Sequence, residues 1–331
     1  MNEELATQHE LHQPPGITAA ISLPGFQPWI GSAGLADLDE MIPMEASDRF
    51  KIASVTKTFV AAVVLRLVDD GVLELDSRLA DVIDVHPRGD DITLRQLLNH
   101  TAGVPSFSTS AAFQQGGLRE YTDPELAQLV EDEPLVLEPG SGFFYSNTHY
   151  LFLGMVITDV AGRPWQSEVA ALAAELELGA TRVPAEGENW ENIVRGYIGT
   201  WDRTGSILPS MMSASGNMAS NAEDLNLWAR AFWGGELFSA EIAEMITEDP
   251  VSVSGFDFGL STIIRSWRDD EILYHNGALN GYVSWAGFRP SDQLSVVVLA
   301  NAWVGPTGQE DFEYPEQIAG ALFDAFDASS P

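Results

Sequence analysis

The sequence predicts an α+β fold: an antiparallel sheet flanked by helices, with an inserted and mostly helical domain. Two observations lead to this prediction. Strand-like runs stand near both ends of the 331-residue chain, and helical patterns fill the middle. No repeat, low-complexity tract or long linker separates these regions. We therefore expect residues 1–75 and 250–331 to form the sheet-containing domain, and residues 76–249 to form the helical one.

The N-terminal part of the chain predicts a tail, a hairpin and a helix. Residues 1–13 are polar and acidic, show no signal peptide and are expected to form a mobile tail. Residues 16–22 predict a strand, and residues 28–34 predict its hairpin partner across a Pro-Gly turn. Residues 54–70 predict a helix, because their apolar side chains recur at helical spacing and a glycine follows.

Helical patterns dominate the middle of the chain, and strand-like runs dominate its C-terminal third. The predicted helices are residues 92–99 with Thr93 as cap, 124–131, 150–161, 165–176, and 222–233 with Ser220 or Asn221 as cap. The predicted strands are residues 256–264, 272–275, 283–288 and 294–300, followed by a last helix at 318–326.

The charge of the chain excludes several classes of partner. It has 49 acidic and 16 basic residues, a formal net charge of −33, and no cysteine. Such a surface repels nucleic acid and anionic membranes, and no apolar run has the ~18 residues of a membrane helix. Lys51 and Lys57 are the only two lysines. This composition indicates adaptation to concentrated salt; an acidic protein from a GC-rich genome is the other interpretation.

The first motif that could carry chemistry is Ser54-Val55-Thr56-Lys57. Helical positions i and i+3 share a face, so the Ser54 hydroxyl and the Lys57 amine can come within hydrogen-bonding distance. A helix N-terminus stabilises negative charge on an attacked carbonyl, and a buried lysine with a lowered pKa can activate a serine. A capping serine followed by a surface lysine is the other interpretation of this spacing.

Two further motifs contain polar groups suited to catalysis. Tyr145-Ser146-Asn147 follows a Pro-Gly turn, and a tyrosine and an asparagine two residues apart can point the same way. The other interpretation is a turn and an N-cap. His275-Asn276-Gly277-Ala278 ends a predicted strand, where Gly277 lets a ligand approach the backbone and Ala278 offers an N–H group.

In this order and on this pattern of strands and helices, the three motifs resemble the serine β-lactamase-like, penicillin-binding hydrolases. The resemblance is to the group of DD-carboxypeptidases, class C β-lactamases and esterases, with His-Asn-Gly in place of Lys-Thr-Gly. It extends from about Pro15 to Phe326. Supporting segments are Arg49–Ala53, Leu97–Pro105, Leu153-Gly154, Ser215–Met218 and Leu279–Tyr282. His100, within the second of these, is expected to be structural.

The resemblance implies an acyl-enzyme mechanism without metal or cofactor. Ser54 would be the nucleophile, Lys57 would assist its deprotonation and Tyr145 would act as general acid and base. Whether Lys57 or Tyr145 is the base of acylation stays open. The backbone N–H groups of Ser54 and Ala278 would form the oxyanion hole. The substrate-binding residues would be Asn147, His275, Asn276, Gly277, Ala278 and, as an anion anchor, Arg265.

The substrate class is less constrained than the mechanism. Histidine in the third motif resembles D-alanyl-D-alanine carboxypeptidases, which makes that activity the first expectation. A carboxypeptidase needs a cation for the terminal carboxylate, and Arg265 could supply it; a surface ion pair with Asp269 or Asp270 is the other interpretation. Asn276 stands where a hydroxyl is expected, which leaves room for an esterase.

Two alternatives to a carboxypeptidase follow from the same resemblance. One is an esterase or class C-type β-lactamase on the same scaffold, and the other is a β-lactam sensor without turnover. We expect a monomer acting on a small molecule or peptide with a D-amino acid, an ester or a β-lactam. The family implies an extracellular or cell-envelope location.

Overall fold

The computed structural model describes residues 1–303 and 313–329. Thirteen strands are found in this part of the chain: β1 (Gly16–Ser22), β2 (Trp29–Asp37), β3 (Ile42–Pro43), β4 (Phe50–Lys51), β5 (Tyr197–Ile198), β6 (Trp201–Asp202), β7 (Ala219–Ser220), β8 (Val251–Val253), β9 (Phe256–Phe258), β10 (Ile263–Trp267), β11 (Asp270–Leu279), β12 (Tyr282–Arg289) and β13 (Leu294–Ala300). The helices are α1 (Asn2–His12), α2 (Thr56–Asp69), α3 (Leu79–Val82), α4 (Leu94–Leu98), α5 (Ala111–Gln115), α6 (Asp123–Gln128), α7 (Asn147–Ala161), α8 (Trp165–Glu175), α9 (Pro209–Met212), α10 (Ala222–Trp233), α11 (Ala240–Met245) and α12 (Tyr314–Ser329).

Nine strands form one antiparallel sheet in the order β3-β2-β1-β13-β12-β11-β10-β9-β8. Strands from the two ends of the chain meet where β1 pairs with β13, with Ile17 opposite Ala300. The α+β prediction is therefore confirmed. Both faces of the sheet are covered, which is why β12 and β13 are buried along their whole length.

Side chains alternate between two cores along each strand. In β13, Val297 and Leu299 face the core shared with α2, α7 and α10, whereas Val296 and Val298 face α12. The helices from the middle of the chain lie on the first of these faces. The division into domains at residues 75 and 250 stays a prediction. Residues 304–312 and 330–331 of the predicted sheet-containing domain lie outside the described residues.

Two elements differ from the sequence expectations. The predicted mobile tail is helix α1, which buries Leu5 against the sheet and packs beside α12. The single strand predicted at residues 256–264 is two strands, β9 and β10. Ser261 adopts a positive φ of 56° and the Gly259 N–H donates to the Thr262 carbonyl, so the chain turns back on itself there.

In the part of the chain that the structure describes, no helix combines the length and the apolar composition needed to cross a bilayer.

Candidate active site

Ser54 lies in the turn that leads into α2, and it is partly exposed in an otherwise buried stretch. Every other residue from Phe50 to Leu65 is buried. Ser54 belongs to a short 3₁₀ turn, and the preceding Ala53 has a positive φ of 48°. This conformation is unfavourable for a residue with a Cβ atom and is found where the surrounding structure enforces it. The sharp turn at Ala53 leaves Ser54 accessible in front of the helix.

Lys57 is buried one turn further along and faces Ser54. Its Nζ donates hydrogen bonds to Ser54 Oγ at 3.2 Å, to Asn147 Oδ1 at 2.8 Å and to the Ser215 carbonyl at 2.7 Å. Burial lowers the pKa of Lys57 well below its usual 10.5. All three acceptors are neutral, so no carboxylate among them opposes this loss of charge. Lys57 can therefore be a free amine at neutral pH. In that state its two hydrogens serve the Asn147 and Ser215 oxygens, and its lone pair accepts from the Ser54 hydroxyl.

Tyr145 approaches the same serine from the segment before α7. Its ring centroid lies 4.9 Å from Lys57 Nζ and 4.2 Å from the His100 ring. Desolvation raises the pKa of the Tyr145 hydroxyl above its usual 10, and a hydrogen bond with Ser54 lowers it in part. The residue is 38% exposed, so one side of it remains open to a substrate. Two titratable groups thus contact one serine, and they titrate as a coupled set.

Asn147, the first residue of α7, is held in one orientation by two serines. Its Nδ2 donates to Ser108 Oγ at 2.9 Å, and its backbone N–H donates to Ser106 Oγ at 3.2 Å. This directs the amide oxygen toward Lys57. Sequence reasoning missed Ser106 and Ser108. The available signal was their alternation after Pro105, because residues two apart in an extended segment share a side.

His275 lies on β11, on the face of the sheet that meets Ser54. It is 1% exposed, and its ring centroid is 6.5 Å from that of Tyr145. Burial lowers the pKa of His275 to about 3, with the charge of Lys57 acting in the same direction. Its Nδ1 lies 2.7 Å from the Asn276 carbonyl, which can only accept. The neutral ring therefore has its hydrogen on Nδ1, and Nε2 is the acceptor.

The end of β11 runs against the turn that carries Ser54. A Cβ atom on Gly277 would lie 2.5 Å from the Ile52 carbonyl oxygen and 2.8 Å from Ser54 N, so glycine is required for this approach. The pairing of β11 with β10 stops at Tyr274, so residues 275–279 are paired only with β12. The backbone of Ala278 therefore has an edge without a strand partner near Ser54.

Two predicted site residues direct their side chains elsewhere. Asn276 lies at an alternate position to His275, so its side chain is on the sheet face that carries Tyr274. Arg265 is on that same face, where its guanidinium pairs with Glu316 of α12. The expectation that Arg265 anchors a substrate carboxylate beside Ser54 is thus corrected. The observed ion pair is also not with Asp269 or Asp270.

His100 supports Tyr145 from behind, in agreement with a structural role. It adopts a positive φ of 60°, and its Nδ1 lies 3.0 Å from Nδ1 of His149. The Ser146 N–H donates to His100 Nδ1, so His149 must be the donor of the pair. Burial lowers the pKa of both rings, that of His149 to about 3. Two neutral imidazoles therefore form a packed layer beneath the tyrosine.

Within residues 1–303 and 313–329, no three His, Asp or Glu side chains are grouped so that they could hold a metal ion. The expectation that neither metal nor cofactor takes part in the chemistry stays a prediction.

Comparisons with known proteins show what the chain is similar to in sequence and in fold. A D-stereospecific amidohydrolase from Streptomyces sp. has a solved structure that is 26% identical and superposes with a TM-score of 0.82, covering 96% of each chain. A penicillin-binding protein from Bacillus halodurans is 26% identical with a TM-score of 0.83, covering 99% of each chain. Penicillin-binding protein 4* of Bacillus subtilis is 22% identical over 312 residues, 88% of this chain and 67% of the relative.

The chain spans about a third to two thirds of the length of the first curated relatives it matches. The family model described as Beta-lactamase matches residues 3–319, nearly the whole sequence. Together with the shared fold, this match identifies a serine hydrolase of the β-lactamase and penicillin-binding type. The chain belongs to the Beta-lactamase family.

Proposed function

We propose that this protein is a serine amidohydrolase that forms an acyl-enzyme at Ser54 and acts on D-amino-acid amides. The observation that carries the proposal is the contact of Ser54 with a buried lysine whose pKa is lowered by burial. Ser54 Oγ attacks the substrate carbonyl, and its proton passes to the pair formed by Lys57 and Tyr145. That pair returns the proton to the leaving nitrogen.

The end of β11 stabilises the charge that develops during this attack. The N–H groups of Ser54 and Ala278 are the proposed donors to the oxyanion, and removing such a donor costs about 3 kcal/mol in typical enzymes. Asn147 holds Lys57 in place, and neutral His275 offers Nε2 as an acceptor beside Tyr145. Water then hydrolyses the acyl-enzyme, with Tyr145 as the general base.

The position of Arg265 favours one of two kinds of amide substrate. A peptide with a free C-terminal carboxylate needs a cation near the third motif, and Arg265 is paired with Glu316 on the opposite face of the sheet. A D-amino-acid amide or ester has no such carboxylate. The likeness to the D-stereospecific amidohydrolase, at 26% identity over nearly the whole chain, supports the same choice.

D-alanyl-D-alanine carboxypeptidase activity is the second candidate. The likeness to the penicillin-binding proteins of two Bacillus species supports it, as does histidine in the third motif. Esterase or β-lactamase turnover, and a sensor that is acylated once, remain alternatives on the same scaffold. We also propose, as the sequence predicts, that the protein is a monomer with an extracellular or cell-envelope location.

The test compares wild type with Ser54→Ala on five compounds. These are a D-amino-acid anilide with its L-enantiomer, a diacyl-Lys-D-Ala-D-Ala peptide, a nitrophenyl ester and a chromogenic cephalosporin, with intact mass recorded after exposure to penicillin. We expect D-selective anilide cleavage that Ser54→Ala lacks. Release of D-Ala with no anilide cleavage would select the carboxypeptidase. A stable penicillin adduct without turnover would select the sensor, and no reaction of Ser54 with any reagent would reject the mechanism.

A further inference from the structure

A second cleft opens on the helical side of the molecule. It has a volume of about 1060 Å³ and lies between α6, the C-terminal half of α7, the turn into α8 and residues 184–186. None of the lining residues is Ser54 or one of the side chains that contact it. The volume is close to the upper limit of that of small-molecule sites, roughly 300–1,000 Å³. The cleft is therefore a candidate ligand site separate from the catalytic one.

The cleft presents an excess of negative charge. Asp123, Asp159 and Glu186 line it, against one arginine, Arg163. That arginine is engaged by Glu168, which is outside the lining. Burial raises the pKa of Asp123, and the nearby charge of Glu186 raises it further, against a hydrogen bond from Ser213 that lowers it. A cation between these carboxylates would relieve their repulsion.

The lining of the cleft includes a buried hydrogen-bond acceptor. Asn217 is 2% exposed and lines the cleft, and among the described residues its Oδ1 has no hydrogen-bond partner. A buried acceptor that lacks a donor costs about 1–3 kcal/mol, so an occupant with N–H groups would be favoured here. Asn217 is fixed in place because its carbonyl accepts from Trp190 Nε1 at 2.6 Å.

Hydroxyl and amide side chains such as Thr158 and Gln166 also line the cleft, and apolar side chains form much of the rest. Ile83, Met155 and Pro164 are among the apolar residues, so the cleft combines apolar surface with acceptors and carboxylates. An inorganic cation fits this lining poorly, because the described residues place no three His, Asp or Glu groups close enough to bind a metal ion. A primary ammonium has three N–H donors and can carry an apolar chain.

We propose that this cleft binds a primary ammonium group on an apolar chain, with the ammonium between Asp123 and Glu186 and an N–H directed to Asn217. The proposal does not depend on the activity of Ser54. A free amine and a peptide lysine side chain present the same chemistry to the cleft, and the test separates them.

The test measures binding of n-hexylammonium, of the uncharged 1-hexanol and of an Nα-acetyl-lysine amide by calorimetry. We expect n-hexylammonium to bind at least about tenfold more tightly than 1-hexanol, because only the ammonium pairs with the carboxylates. Asp123→Asn, which keeps the shape and the acceptor for Ser213, should lose about tenfold in affinity for the amine. Glu133→Gln removes the same charge from an exposed position outside the cleft and should leave the affinity unchanged. Tighter binding of the lysine amide would identify a peptide as the source.

Three results would overturn the proposal. One is equal binding of the amine and the alcohol, which would show an apolar pocket only. Another is an equal loss of affinity in Asp123→Asn and Glu133→Gln, which would show attraction by net charge alone. The last is a crystal structure of the complex with the amine beside Ser54 instead of Asp123. Comparison of unfolding temperatures of the two variants shows whether a loss of affinity is a loss of folding.

Discussion

In the proposed mechanism, the protonation state of Lys57 controls the reaction of Ser54. Lys57 donates only to neutral acceptors, and burial lowers its pKa, so the free amine is present well below the usual pKa of 10.5. The rings of His275 and His149 have pKa values lowered to about 3 and stay neutral above that range. A decline of activity on the acid side should therefore report the coupled pair of Lys57 and Tyr145.

Lys57→Arg should abolish most of the activity, because it places a permanent positive charge where the proposed mechanism needs a free amine. An arginine stays protonated throughout the accessible pH range and cannot accept the serine proton, so we expect kcat/KM to fall by about 10²–10⁴-fold. In wild type, kcat/KM on a nitrophenyl ester should rise with pH as Lys57 loses its proton and should level off below the usual lysine pKa. His275→Gln should keep the pH at which this rise occurs. A rise that moves in His275→Gln would assign the titration to the histidine instead.

Lys51, the other lysine, should make stability depend on pH. It is buried, it donates to the Thr204 carbonyl at 2.7 Å, and its Nζ lies 4.0 Å from the Trp190 ring centroid. Burial lowers its pKa to about 7, against the charge of Asp202, which raises it. Between that value and the unfolded value near 10.5, the unfolded chain binds more protons, so stability should rise as pH increases.

Urea unfolding of wild type and Lys51→Met between about pH 6 and pH 9 tests this. The free energy of unfolding should increase less steeply with pH in Lys51→Met than in wild type. Lys57 contributes a slope of the same sign in both proteins, so the variant should keep some dependence. Equal slopes would contradict the titration of Lys51.

Side-chain chemistry was easier to predict than side-chain direction. Ser54 and Lys57 were predicted to approach each other because helical spacing fixes it, and the structure places them 3.2 Å apart. Arg265 and Asn276 could not be placed, because direction alternates along a strand and its register comes from pairing with neighbours. Ser215 contributes a backbone carbonyl, which every residue has, so nothing in its side chain indicated the contact with Lys57.

At the scale of elements, the approach of β11 to the turn at Ser54 sets the geometry of the site. The Ser284 hydroxyl on β12 donates to the Ile52 carbonyl at 2.7 Å, which ties the turn to the sheet. Gly277 leaves no room for a Cβ atom between β11 and this turn. The position of the proposed oxyanion donors therefore depends on one glycine.

Gly277→Ala should lower kcat strongly, whereas Gly205→Ala should not. The new methyl group would meet the Ile52 carbonyl oxygen at 2.5 Å and Ser54 N at 2.8 Å, and the strand must move away from Ser54. We expect kcat to fall by about 10²-fold or more, as on loss of an oxyanion donor. Gly205→Ala is the matched control, because its Cβ atom meets nothing within 4 Å and its φ is not positive. Similar kcat values for the two variants would contradict the role of β11.

The elements that the sequence predicted well are those with one apolar face or a clear cap. Residues 222–233 were predicted as a helix, and α10 has these bounds, with the Asn221 side chain accepting from Asp224 N. Helix α1 was not predicted, because its segment shows no repeated apolar face. Only Leu5 and His12 of this helix are buried. Its order comes from packing against β2 and α12, which are distant in the chain.

At the scale of the whole molecule, the net charge of −33 opposes folding in dilute solution. Self-repulsion among like charges destabilises a compact state, and salt screens it over about 8 Å at 0.15 M ionic strength. Several basic side chains are already paired with acids, for example Arg289 with Asp292 and Asp327. Many acids have no such partner; Glu131, Asp132 and Glu133 form an exposed run in which no ion pair is found within the described residues. In this run, like charges are neighbours in the sequence and are not compensated by an ion pair with any residue that the structure describes.

Raising KCl from about 0.1 M to about 2 M should raise the unfolding temperature and the activity, because screening removes repulsion that the folded state concentrates. The triple variant Glu131→Gln, Asp132→Asn, Glu133→Gln removes three of the excess charges from the exposed run. In low salt it should unfold at a higher temperature than wild type, and its gain on adding KCl should be smaller. Calorimetry of both proteins at the two concentrations makes the comparison, with sucrose of equal osmolality as the control for excluded solutes.

Equal unfolding temperatures of wild type in dilute and concentrated KCl would contradict the interpretation that the composition reflects adaptation to salt. A gain in wild type that the triple variant shares in full would instead assign the effect of salt to strengthened apolar burial.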